Sequence, residues 1–188
     1  MDANEVLAKF KETKALLEGH FILRSGLRSR QYFQCAGLLQ HPVIAADICS
    51  ALAERAKIYE IDTVVSPAMG GILVGHEVAR NLNKRHIFAE KQDGKLVMRR
   101  FRVNPGERFL VAEDVVTTGS AVKETCEVVR SLGGVVVGIV VIVDRSGDVS
   151  PDFGAPYESL LRLNVETFHP DQLPEDLKSI PAVKPGSV

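Results

Sequence analysis

The stretch RFLVAEDVVTTGSAVKE, residues 108–124, joins three patterns. It opens as a continuous apolar run, the mark of a strand buried on both faces of a sheet. Two adjacent carboxylates follow, Glu113 and Asp114, and then a loop of small hydroxyl residues, TTGSA, leading into a segment of helical period. A strand that ends in a polar loop and turns at once into a helix is the repeating unit of a parallel α/β sheet, whose ligands bind beyond the carboxyl ends of the strands.

The alternation continues on both sides of this stretch. DTVVSP reads as strand, GGILVGHEVARNLNK as helix, RHIFAE as strand, SAVKETCEVVRSLGG as a helix ended by glycine, and VVVGIVVIVDR as strand. Upstream, Pro42 suits the first turn of a helix running to about Lys57, because its missing N–H has no partner there anyway. The expected fold is therefore α/β, a central, mainly parallel sheet flanked by helices. Near the N-terminus, Val6, Leu7, Phe10 and Leu17 share one helical face, so the spacing predicts a helix over 4–18, capped by Asn4 and stopped by Gly19. Apolar alternation around Phe21–Leu23 and Tyr32–Gln34, separated by the turn SGLRS, predicts a small antiparallel ribbon. The tail after Ser150 offers one short strand at SLLRLN and a helical turn near DQLPEDLKS. Residues 1–188 are expected to form one domain, with 1–40 and 150–188 making a small hood on a core of 41–149.

Composition narrows the functional classes. With 45% hydrophobic and 25% charged residues and a net charge of −1, the chain is neither disordered in type nor basic enough to call for nucleic acid. The longest apolar run, residues 135–143, is far shorter than the roughly 20 residues of a membrane span. The start, MDANEVLAKFKE, lacks the apolar core of a secretory signal, so a cytoplasmic location is expected, with neither membrane nor nucleic acid as a partner. Cys35, Cys49 and Cys126 lack the spacing of a zinc site or disulfide framework and read as reduced, structural residues.

The rule for strand ends selects SPAMGG, EDVVTTGSA and DRSGD. TTGSA offers hydroxyls and closely spaced N–H groups at a helix N-terminus, a ready phosphate site. Alone it also reads as an ordinary capped helix start, and an acid pair alone as a solvated turn. Two carboxylates beside a phosphate would repel it unless they face hydroxyl donors or a cation. The combination therefore points to a phosphorylated sugar, with hydroxyls toward the acids and phosphate toward the loop.

FLVAEDVVTTGSAV closely resembles the ribose-phosphate signature of the type I phosphoribosyltransferases. Members bind 5-phosphoribosyl 1-diphosphate with Mg2+ and transfer ribosyl phosphate to a nitrogen base. The resemblance implies that Glu113 and Asp114 hold the ribose hydroxyls and that Val115, Val116, Thr117, Thr118, Gly119, Ser120 and Ala121 complete the site, residues 117–121 cradling the 5-phosphate. VVSPAMGGILVGHEVA is similar to the family's diphosphate loop, which by position places backbone N–H groups of Ala68, Met69 and Gly70 on the leaving group and implies a strained or cis peptide. Taken alone, those glycines also read as a means of close helix packing. GHFILRSGLRSRQYF and VIVDRSGD resemble the orotate phosphoribosyltransferases of pyrimidine biosynthesis. That likeness implies that Arg145 pairs with the orotate carboxylate, that Thr117 touches the base, and, as a weaker assignment, that Tyr32 and Phe33 cover the ring. A purine phosphoribosyltransferase and a non-catalytic sensor of the sugar diphosphate remain alternatives.

KQDGKLVMRRFRVNPGE, residues 91–107, carries five basic residues against two acids and is expected to be a hairpin or a mobile loop. In the family this loop carries an Arg-Lys pair and a later Lys and His, and it reaches into the neighbouring subunit of a homodimer with shared active sites. Here Glu90 replaces the arginine and the histidine is missing. Lys91 survives by position, Lys95, Arg99 and Arg100 are candidate substitutes, and Arg24 is a further candidate for the phosphates. Mg2+ is expected to be held mainly by substrate and water, with no firm protein ligand.

Overall fold

A computed structural model describes residues 1–23 and 25–185. Six strands form the main sheet: β3 (Thr63–Pro67), β4 (Arg85–Gln92), β5 (Lys95–Val97), β6 (Arg108–Val116), β7 (Val135–Asp144) and β8 (Tyr157–Arg162). Their order is β5-β4-β3-β6-β7-β8, and every pairing is parallel except the β4–β5 hairpin. The chain thus leaves β3 through α4 (Gly70–Leu82) to β4 on one side, and returns to β6 on the other. That reversal between β3 and β6 is the topological switch point, where the carboxyl ends of two neighbouring strands open a crevice.

The continuous apolar runs are explained by burial on two faces. Val64, Leu110, Ala112, Val140 and Ile142 face a core shared with α3 (Pro42–Ala56) and α4, whereas Val65, Phe109, Val111, Ile139 and Val141 face α5 (Ser120–Ser131). Each fully buried side chain of this size contributes about 1.5–3 kcal/mol from removal of apolar surface from water. Pro42 occupies the first turn of α3, as its chemistry predicts.

Two segments differ from the sequence reading. The N-terminal helix α1 is shorter, Ala3–Glu12, and its cap is Asp2 rather than Asn4: Asp2 Oδ1 accepts from the backbone N–H of Glu5 at 2.9 Å, and the Glu5 carboxylate accepts from the Asp2 N–H at 2.7 Å. Lys14 turns the chain with a φ of 54°, and Leu16–Ile22 becomes β1, pairing antiparallel with β2 (Arg28–Phe33). Leu17 and Gly19 therefore lie in a strand, because cross-strand pairing overrides the helical spacing that Leu17 extended. β2 also pairs with β9 (Thr167–Phe168), so the small three-stranded sheet unites the two ends of the chain. The second difference is in the tail. Tyr157–Arg162 lies not with the hood but at the edge of the main sheet, where Leu160 and Leu161 are buried in the α3-side core.

Short α2 (Cys35–Leu39), unanticipated in the sequence, carries the chain from β2 into this same core, and α6 (Glu175–Lys178) supplies the helical turn expected in the tail. Among the described residues no helix is long and apolar enough to cross a membrane.

Candidate active site

Two of the selected strand ends meet at the switch point. Glu113 and Asp114 lie near the end of β6, which runs on through Val115 and Val116, so these four residues are strand and the loop proper begins at Thr117. Across the crevice, β3 ends at Pro67, the Ala68–Met69 peptide is cis, and α4 begins at Gly70. The two segments touch. A methyl group added at Gly70 would lie 2.5 Å from Asp114 Oδ2, and one at Gly71 would lie 2.8 Å from Glu113 Oε1. Glycine lets the chain approach this closely, since the carboxylates occupy the space that a Cβ would take at either position.

Glu113 is buried and Asp114 partly so. Glu113 Oε1 accepts the Asp114 backbone N–H at 3.0 Å, and Asp114 Oδ1 accepts the Val115 N–H at 2.8 Å. Burial pushes both carboxyls above their ordinary range, and Glu113 well above it, since the Asp114 charge also bears on it. Such a pair gains from hydroxyl donors, which satisfy its oxygens where water is scarce.

The loop after β6 is built for an anion. Gly119 is the N-cap of α5 with φ 76° and has no side chain to cap the helix, so the first-turn N–H groups beyond that of Ser120 are left to a ligand or water at the positive end of the dipole. Thr117, Thr118 and Ser120 are exposed and Ala121 is half-buried. Thr118 Oγ1 donates to Ser120 Oγ at 3.3 Å and accepts the Ser120 N–H at 3.4 Å, which holds the loop in shape. Gly119 itself is buried against the Phe153 ring.

At the third strand end, Arg145 follows β7, its N–H donating to Val116 O at 2.8 Å. Its guanidinium carbon lies 6.0 Å from the Tyr32 ring centroid and 5.8 Å from that of Phe33. The Arg145 Nε is buried without a hydrogen-bond partner, and no ion pair engages the side chain among the described residues. Burial lowers the Arg145 pKa from its usual value. A half-buried cation without a carboxylate of its own is suited to an anionic ligand with a flat face. Tyr32 is half-buried, whereas Phe33 is 4% exposed and stacks edge-on with Phe10 at 5.3 Å, so Phe33 backs the wall more than it offers a face.

The cationic segment opens as a hairpin and continues without regular structure to β6. Glu90 pairs with Val97, Lys91 with Leu96 and Gln92 with Lys95, while Leu96 is buried. Met98, Phe101 and Val103 pack against the α5-side core. Arg100 Nε donates to Glu90 Oε1 at 2.9 Å, so the residue that replaces the family's arginine holds one of the candidate substitutes. Lys91, Lys95 and Arg99 are exposed. Met69 is 84% exposed at the start of α4, beside Ala68. Arg24 lies outside the described residues.

Sequence reasoning did not anticipate the position of Cys35. Its Sγ lies 3.9 Å from Asp114 O, among the charges of Asp114, Arg145 and Glu113, and burial raises its thiol well above the usual range. It is an inert packing group beneath the crevice. Nothing in the cysteine spacing pointed there.

The Phosphoribosyl transferase domain matches residues 36–171. An orotate phosphoribosyltransferase of Desulforamulus reducens is 50% identical over 188 residues, covering 100% of this chain and 98% of that one. A second, from Caldicellulosiruptor bescii, is 48% identical with the same coverage. The crystal structure of orotate phosphoribosyltransferase from Aeropyrum pernix superposes with a TM-score of 0.69 at 26% identity, over 84% of this chain and 93% of that one.

Proposed function

The chain belongs to the orotate phosphoribosyltransferases of the phosphoribosyltransferase family, and on that premise we propose how its residues divide the reaction between them. The activity is transfer of ribosyl 5-phosphate from 5-phosphoribosyl 1-diphosphate to orotate, giving orotidine 5′-phosphate and diphosphate, a step of pyrimidine biosynthesis.

In the proposed division, Glu113 and Asp114 accept hydrogen bonds from the ribose hydroxyls, and Thr117 to Ala121 with the α5 N-terminus hold the 5-phosphate. Ala68, Met69 and Gly70 present backbone N–H groups to the diphosphate, Arg145 takes the orotate carboxylate, and Thr117 borders the base with Tyr32 above Phe33. The observation that supports this reading is the contact of Gly70 and Gly71 with Asp114 and Glu113, which brings the end of β6 and the start of α4 into one crevice. As the bond from C1 to the diphosphate oxygen breaks, positive charge grows on C1 and the ring oxygen, and the orotate ring nitrogen attacks from the opposite face. No protein nucleophile takes part. Positioning and fixed charge supply the acceleration, with the buried acids close to the carbon that becomes cationic.

The donor set fits Mg2+. The ion takes oxygen ligands and keeps several waters, binding through one or two carboxylates and substrate phosphates. Among the described residues no group of three or more His, Cys, Asp or Glu is placed to hold a metal, while Asp114 Oδ2 faces the diphosphate loop. Substrate oxygens and water would therefore hold the ion, with Asp114 nearest among the carboxylates, and its chemistry is neutralisation of the leaving diphosphate. Of the hairpin cations, Lys91, Lys95 and Arg99 are the candidates for the diphosphate, because Arg100 is held by Glu90. A homodimer in which this hairpin serves the neighbouring site, in the cytoplasm, completes the proposal.

A spectrophotometric assay with the sugar diphosphate and Mg2+ tests the function. Orotate is consumed in step with diphosphate release, and adenine, hypoxanthine and xanthine are not. Consumption of a purine but not of orotate would overturn the reading.

A further inference from the structure

The turn that carries Arg145 is held from one side by a strand that touches no substrate in the division above. Asp144 ends β7 and is 1% exposed, and its Oδ1 accepts the Ser146 N–H at 2.8 Å. From the adjacent β8, the Arg162 guanidinium reaches both parts of this turn: Nη2 donates to Gly147 O at 3.1 Å, and Nε lies 3.8 Å from Asp144 Oδ2. One residue past the next, Asn164 Nδ2 donates to Asp148 Oδ1 at 2.9 Å. The backbone completes the attachment, with Leu163 N–H donating to Asp144 O at 2.8 Å. Residues 144–148 are thus tied to 162–164 at four points, and Arg145 lies inside the tied segment.

We propose that Arg162 and Asn164 are positioning residues for base selection, acting through the 144–148 turn to fix the direction in which Arg145 presents its guanidinium. The proposal rests on the assignment of Arg145 to the orotate carboxylate and extends it. Physical necessity comes from the side chain itself. Arg145 Nε is buried without a partner among the described residues and the guanidinium stands over the rings of Tyr32 and Phe33, so few polar contacts of its own define its rotamer. Its direction must then be inherited from its backbone, and a bidentate pair with a planar carboxylate tolerates little error in that direction. Arg162 is suited to the task because one planar fork addresses a carbonyl and a carboxylate together, which a lysine ammonium does less rigidly.

The reaction of the intact enzyme decides it. Arg162→Met and Asn164→Ala, both at exposed positions, are expected to raise KM for orotate by roughly three- to tenfold, the scale of one or two lost hydrogen bonds. KM for the sugar diphosphate should stay within about twofold, and Arg162→Lys should recover part of the orotate loss. The decisive arm combines each change with Arg145→Ala: a residue acting through Arg145 adds no further loss in that background, whereas a residue with a merely structural role adds its full effect. Additive losses, or equal losses for both substrates that track a lowered melting temperature, overturn the proposal. A large orotate defect in Arg145→Ala with none in Arg162→Met or Asn164→Ala overturns the brace alone. An unchanged orotate KM in Arg145→Ala refutes the assignment of Arg145, and the brace falls with it.

Discussion

Gly119→Ala separates the two demands that the loop proposed to hold the 5-phosphate makes on its glycine. At this position φ is 76°, and an added Cβ would lie 2.9 Å from Phe153 Cε1, 3.0 Å from Phe153 Cζ and 3.1 Å from Pro151 Cβ. Gly106 has the same φ, 76°, with nothing within 4 Å of its Cβ position, so Gly106→Ala isolates the conformational part. A left-handed backbone costs an L-residue about 1–2 kcal/mol. Loss of unfolded-chain freedom on replacing glycine offsets roughly 0.4–1 kcal/mol of this. Gly106→Ala should therefore destabilise by about 1 kcal/mol, and Gly119→Ala should add about 2 kcal/mol for forcing a methyl into a packed ring. With a urea dependence near 2 kcal/mol/M, the unfolding midpoint falls by about 0.5 M and about 1.5 M respectively.

The same pair of variants connects packing to catalysis. Phe153 is buried and stacks edge-on with Tyr157 at 5.1 Å, so the ring has little room to retreat and the loop is the part that moves. Gly119→Ala should then raise KM for the sugar diphosphate, while Gly106→Ala, in a turn on the far side of β6, leaves it unchanged. In a Phe153→Leu background the cost of Gly119→Ala should fall from about 3 toward about 1 kcal/mol, because the overlap with the ring is relieved and the φ strain is not. Equal midpoints for Gly119→Ala and Gly106→Ala, or a Gly119→Ala cost indifferent to Phe153, would refute the reasoning.

Arg145→Ala should weaken orotate use by roughly 30-fold or more, the cost of truncating one partner of a desolvated charge pair, with a far smaller change for the sugar diphosphate; steady-state kinetics in both substrates checks the split, and equal losses count against it. Burial raises the Glu113 and Asp114 pKa values in the free protein, so ribose hydroxyls donating to the carboxylates should release protons. Calorimetry in buffers of different ionisation heat should detect that release on binding of the sugar diphosphate, reduced in Glu113→Gln; equal proton counts in the two proteins would contradict it. The same raised values mean that the folded protein binds more protons than the unfolded chain above the ordinary carboxylate range, so this pair's contribution to stability falls as pH rises, and Glu113→Gln should flatten that slope. His86, bonded to Ser66 at 2.9 Å, has its pKa lowered to about 4 by burial and then by His76. It binds fewer protons folded than unfolded, so stability should fall as pH drops from about 6.5 toward 4. Urea unfolding across that window should show a shallower fall in His86→Gln, and an unaltered slope would remove His86 from the account.

What was legible in the chain depended on how locally each feature is encoded. The parallel strands could be read because burial on two faces writes itself into consecutive residues: Val64 and Val65 are both fully buried although they face opposite cores. Gly119 and the acid pair could be read for the same reason, since strand end, loop and helix start are contiguous. Leu17 misled because its spacing suits a helix, and only its distant partner Tyr32 makes it strand. The tail strand was visible as a strand, but its place beside β7 is a pairing across more than a dozen residues that no local pattern carries. Glu90 shows the limit most clearly. In sequence it is a carboxylate where the family resemblance implies an arginine, so the loop's cation has to be sought among Lys91, Lys95, Arg99 and Arg100. In the fold it holds Arg100, ten residues away, across the opening of a hairpin whose Leu96 is buried. The substitution therefore alters which cations remain free more than how many the loop has. Local chemistry marks the groups suited to a sugar phosphate, whereas the selection among them for a given oxygen depends on contacts between segments, which is why Arg145 stands out in the sequence as the candidate for the base and its tie to β8 does not.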